Sequence, residues 1–124
     1  MKFLWTTINV KDMDKSLAFY RDVVGLTVDR TMKPGPGMQI AFMGAGETKV
    51  ELISDPQGRE RTYGNDITLG FEVESIESIS KALGAAGVAI ESGPHQPNPT
   101  LKFILVRGPN GVRVQFVENI KPGR

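Results

Sequence analysis

Few side chains in this chain of 124 residues can do chemistry unaided. There is no cysteine, which excludes disulfides, thiolate metal sites and cysteine nucleophiles together. The sole histidine, His95, stands in "ESGPHQPNPT", whose prolines predict a loop. Its titration range suits acid–base work from a lid, and a solvated surface position fits the same context. Glu51 differs in being the only charge in "VELI". A carboxylate among apolar neighbours could accept a proton or serve as counter-charge to a cationic ligand, whereas near a strand end it could also be solvated. Arg59, Arg61 and Tyr63, in "SDPQGRERTYGND", could meet an anionic ligand or stay in solvent. "GPNG" (108–111) is a hairpin turn and no phosphate loop, because it opens no helix and lacks the Gly-Lys-Ser/Thr end.

Positioning these groups requires regular elements, and the hydrophobic pattern supplies them twice. "FLWTTINV" reads as a strand, and Asp12 can cap a following helix over "MDKSLAFYRDVVG", with Leu17, Tyr20 and Val24 on one face and Gly25 as its stop. In the second half "DITLGFEV" is the strand and Ser75 the cap. Ile76, Ile79 and Leu83 form the apolar stripe, and Gly87 is the stop. "IAFMGAGETKVELI" (40–53) lies without gaps over "ILVRGPNGVRVQFV" (104–117), setting Glu51 on Gln115. With a slip of one residue the first strands also match, setting Trp5 on Thr68. Each half therefore reads β-α-β-β-β, an α+β chain built from a fused repeat, with "GAG" and "PNG" as tight turns between the last two strands. "TMKPGPGM" and "SDPQGRERTYGND" are long connections, and so candidate lids or dimer contacts.

Bulk properties narrow the partners. With 15 Lys+Arg against 14 Asp+Glu, scattered along the chain, no field is available to hold nucleic acid. The first residues turn polar too soon for a signal-peptide core, and no apolar run approaches the roughly 20 residues of a membrane span. A cytoplasmic location is expected. At 40% hydrophobic and 23% charged, the composition predicts one packed domain without disordered tracts.

"INVKDMDKSLAFYRDVVGL" and "RGPNGVRVQFVE", with the repeat between them, resemble the vicinal oxygen chelate superfamily of glyoxalase I, extradiol dioxygenases, and fosfomycin- and bleomycin-resistance proteins. The resemblance spans about residues 4 to 118. It implies one domain of two tandem βαβββ modules, about residues 1–57 and 65–120, joined by a loop and curving around a cleft, commonly within a homodimer. In metal-using members four cleft ligands, commonly His or Glu, come from the first and last strands of each module. Carried over, these positions are Trp5, Glu51, Thr68 and Gln115. Strand alternation turns Ile8, Val10, Val50, Leu52, Leu69, Phe71, Val73, Val114 and Phe116 the other way, toward the helices.

Only Glu51 of the four is a strong ligand. Indole has no in-plane lone pair, and Thr and Gln offer weak neutral oxygens. Catalytic divalent metals take at least three His, carboxylate or thiolate ligands, so no metal or other cofactor is expected. Trp5 could be a packing residue or the wall of an apolar pocket. Thr68 and Gln115 could hydrogen-bond a ligand or satisfy each other. The first functional expectation is a metal-free site of the bleomycin-resistance type, lined by Trp5 and Glu51, for a small, partly aromatic molecule. The alternative is a glyoxalase I-type lyase or isomerase with Glu51 as proton shuttle. Extradiol cleavage ranks third, because the carried-over positions lack the two histidines that its iron requires.

Overall fold

The computed structural model describes residues 1–58 and 60–121. Arg59 therefore lies outside the described residues. The chain divides into two compact units, residues 1–62 and 63–124, and the elements run β-α-β-β-β in each. No helix among the described residues is long and apolar enough to cross a membrane.

The first unit contains β1 (Trp5–Asn9), α1 (Met13–Leu17), β2 (Val28–Met32), β3 (Gln39–Met43) and β4 (Lys49–Ser54). Its sheet has the order β1-β4-β3-β2, with β1 parallel to β4 and the other pairs antiparallel. A parallel pair needs a crossover, and α1 supplies the first part of it. Asp12 caps α1 by accepting the Lys15 N–H at 3.0 Å. The helix then widens into a π-helical stretch, Ala18–Val23, in which the Val24 N–H donates to the Phe19 carbonyl at 3.0 Å. Widening alters the expected stripe. Phe19 joins Tyr20 in the core, and Leu17 is only half-buried; Val24, after the wide turn, is also half-buried, because a turn with an extra residue rotates the later side chains relative to the 3.6-residue pattern.

The second unit contains β5 (Thr68–Val73), α2 (Ile76–Ala85), β6 (Ile90–Asn98), β7 (Leu101–Arg107) and β8 (Arg113–Asn119), in the sheet order β5-β8-β7-β6. Ser75 caps α2 by accepting the Ser78 N–H, and the Glu118 carboxylate on β8 accepts the Ile76 N–H at 2.8 Å. Ile76 and Leu83 are buried. The stretch around His95, expected as a loop, is strand β6. Its prolines fit because β6 is an edge strand that pairs only with β7, and the pairing is interrupted by register shifts between Ile90 and Asn98.

Strand alternation accounts for the core. Ile8, Val10, Val50 and Leu52 in the first unit, and Val114 and Phe116 in the second, are buried; Leu69, Phe71 and Val73 on β5 are half-buried. The gapless overlay of the halves holds for β4 on β8 but slips by one residue for β3 on β7. Glu51 pairs with Phe42, whereas Gln115 pairs with Leu105 and not with Val106. Val106 is instead paired with Val114, and both are fully buried. Since side chains alternate with a period of two, a hairpin of different length must shift one strand to keep its apolar set on the buried face.

Candidate functional site

Trp5 and Glu51 belong to the first unit and project from the same face of neighbouring strands, since Trp5 is in register with Lys49 and Thr7 with Glu51. Glu51 is buried, at 8% exposure, so it is no solvated strand-end carboxylate. Its Oε1 accepts a 2.6 Å hydrogen bond from the Thr7 hydroxyl. Register extends this pair into a row across all four strands, Thr7, Glu51, Phe42 and Arg30. Phe42 is 3% exposed. The Trp5 ring meets it edge-on with centroids 5.1 Å apart, and the Arg30 guanidinium lies 4.4 Å from its centroid. Trp5 keeps 40% exposure, more than a packing residue needs and enough to offer a ligand an aromatic surface. Lys49 on the same face is engaged, donating to the Gly44 carbonyl at 2.7 Å.

Thr68 and Gln115 belong to the second unit, on the corresponding face. Thr68 is exposed and in register with Arg113. Gln115 is half-buried and in register with Gly70. A Cβ on Gly70 would sit 3.5 Å from the Gln115 Oε1, an ordinary van der Waals distance, so the amide lies beside β5 at this position. Beyond Thr68 the row continues to Arg107, register partner of Arg113, and these two arginines share Glu91. Arg107 also donates to the Asn65 Oδ1 and the Gly111 carbonyl, and Arg113 to the Asn65 carbonyl. Arg113 Nε is buried and has no hydrogen-bond partner among the described residues. The hydrogen bond from Arg107 holds the Glu91 carboxyl below its ordinary titration range; desolvation opposes this, and the charges of Arg107 and Arg113 reinforce it.

His95 lies on edge strand β6, its ring 5.1 Å from that of Phe103 and its Nε2 2.6 Å from the Ser92 hydroxyl. Arg61 and Tyr63 lie outside the strands, between β4 and β5.

A divalent metal does not fit this donor set. Glu51 is the single anionic or imidazole side chain among the four carried-over positions, and one of its oxygens is already engaged by Thr7. Among the described residues, no three His, Cys, Asp or Glu side chains group as a metal site. The arrangement in the first unit can instead stack an aromatic body on Trp5 and present a positioned carboxylate beside it. Sequence reasoning missed Thr7, Phe42 and Arg30 as parts of this face. Thr7 was accessible, two residues from Trp5 on the same strand, and Phe42 followed once the pairing of β3 with β4 was known.

A family model described as the Glyoxalase/Bleomycin resistance protein/Dioxygenase superfamily matches residues 2–116. A lactoylglutathione lyase of Haemophilus influenzae is 32% identical, with 96% of this chain and 93% of that protein covered. The trypanothione-dependent glyoxalase I of Leishmania major superposes with a TM-score of 0.81 at 21% identity, covering 95% of this chain and 86% of that one. An antibiotic binding protein from a Streptomyces species superposes with a TM-score of 0.73 at 18% identity, covering 96% of each chain.

Proposed function

The chain belongs to the Glyoxalase/Bleomycin resistance protein/Dioxygenase superfamily, and on that footing we propose that it binds a small, partly aromatic molecule without a metal ion, as bleomycin-resistance-type members do. One observation carries the reading. At the paired positions where metal-using relatives carry ligands, the first unit has an indole and a carboxylate committed to Thr7, beside a buried phenyl ring. That is a surface for stacking, with one polar handle. The same fold in an antibiotic binding protein agrees with a binding role.

The experiment is a titration of the protein with aromatic small molecules, followed by emission from Trp5, the sole tryptophan. Ligands should quench or shift the emission, and a chelator should leave the titration unchanged. Binding that leaves Trp5 emission unaltered would remove Trp5 from the site.

A second reading is supported by the 32% identity to a lactoylglutathione lyase over nearly the whole of both chains. In it, Glu51 moves a proton at a carbon beside a carbonyl, and a hydrogen-bond donor must stabilise the oxygen that gains charge. The Thr7 hydroxyl, the donor nearest in register, is spent on Glu51 itself. Lactoylglutathione turnover is therefore expected to be absent. Turnover that Glu51→Gln abolishes would establish this second reading in place of the first.

A further inference from the structure

Of the three arginines on the strands, Arg30, Arg107 and Arg113, Arg30 is the one that makes no hydrogen bond or ion pair among the described residues. Arg107 and Arg113 are committed to Glu91, Asn65 and Gly111. The exposed Arg30 side chain makes a cation–π contact with Phe42 at 4.4 Å and has no hydrogen bond or ion pair among the described residues. A cation–π contact uses the charge of the guanidinium and leaves its N–H groups free to donate. It also restrains a flexible side chain before any ligand arrives, which lowers the ordering cost of binding. Trp5 touches the same Phe42 ring from β1, so Phe42 is flanked by an exposed indole and an exposed guanidinium. The one carboxylate in the row, Glu51, stands two strands from Arg30, roughly 10 Å away at the ordinary strand spacing. No ion pair joins the two among the described residues, and Glu51 is occupied by Thr7.

We propose that Arg30 is an anion subsite, and that the ligand class of this face is a small aromatic carboxylate whose ring packs on Trp5 and whose carboxylate accepts hydrogen bonds from the Arg30 guanidinium. The proposal rests on the aromatic-ligand reading of the site and specifies its charge: the ligand is anionic, not cationic. Planar, two-point recognition of carboxylate is what a guanidinium with free donors does best. Buried Glu51, already hydrogen-bonded, then excludes a carboxylate from its own end of the row and so fixes the ligand's direction.

The probes are 1-naphthoate and its neutral counterpart 1-naphthamide, titrated separately into the intact protein at low salt. The readout is the indole N–H resonance of Trp5, a single peak because the chain has one tryptophan. Naphthoate should bind about tenfold tighter than the amide, the scale of one charge-assisted contact, and the preference should shrink as salt is added. In Arg30→Met, which keeps an apolar cover on Phe42, the two probes should bind alike; Arg30→Lys should keep part of the preference. Equal affinities in the wild type, or a preference that survives Arg30→Met, would overturn the anion subsite while leaving the aromatic site standing. If neither probe moves the Trp5 resonance, the aromatic site and the subsite built on it both fall.

Discussion

A buried carboxylate that accepts a hydroxyl hydrogen bond is held in position by it, and removing the donor leaves an ionisable group with one partner fewer in a place water reaches poorly. For Thr7 and Glu51 the expected cost is about 1–2 kcal/mol, since Thr7 is exposed and solvent can replace part of the bond. Thr7→Val should lower the urea midpoint accordingly, and the same substitution in a Glu51→Gln background should cost less. Equal costs in both backgrounds would mean that the charge of the carboxylate adds nothing to the bond, since a glutamine oxygen can still accept it. At this scale the sequence was informative where chemistry and periodicity agreed. Trp5 and Glu51 could be singled out because the repeat and the family resemblance point to the same positions. Arg30 could not, for a physical reason: the pairing of β2 with β3 slips between Val28 and Arg30, so counting alternate residues along β2 does not tell which face an arginine there takes.

Edge strand β6 shows what local composition conceals. Prolines argued for a loop around His95, yet the segment pairs with β7 with interruptions in register, and its Glu91 is clamped by arginines from β7 and β8. The folded-state titration of Glu91 lies below that of an unfolded glutamate, so its contribution to stability is present above the ordinary glutamate range. It is lost as pH falls through the lowered folded value. Glu91→Gln should therefore unfold more readily than wild type at neutral pH, and the two melting temperatures should converge in acid below the usual carboxylate range. A constant difference at every pH would detach Glu91 from the acid sensitivity. The helices were more legible than this strand, because capping is local chemistry: Asp12 and Ser75 both accept the N–H bonds that their positions predict. The π-helical turn after α1 was not, because "AFYRDV" carries no local mark of it, and burying both Phe19 and Tyr20 is a demand of packing.

At the scale of the whole molecule, the repeated β-α-β-β-β order was readable because two copies of one pattern reinforce each other, while the hairpin slip between β3 and β7 showed only in the pairing. We propose a homodimer, since β2 and β6 are edge strands, every residue of β2 is exposed, and unpaired edges invite a partner. Light scattering at micromolar concentration should give twice the 13.6 kDa of the chain, and a monomeric mass would contradict it. The central claim concerns the site itself, that ligands bind there without a metal because Glu51 stands alone among side chains that cannot replace imidazole. Calorimetric titration of chelator-treated, dialysed protein with nickel, zinc and manganese tests it most directly. The prediction is that no ion binds stoichiometrically. Binding of one ion per chain, abolished by Glu51→Gln, would contradict it.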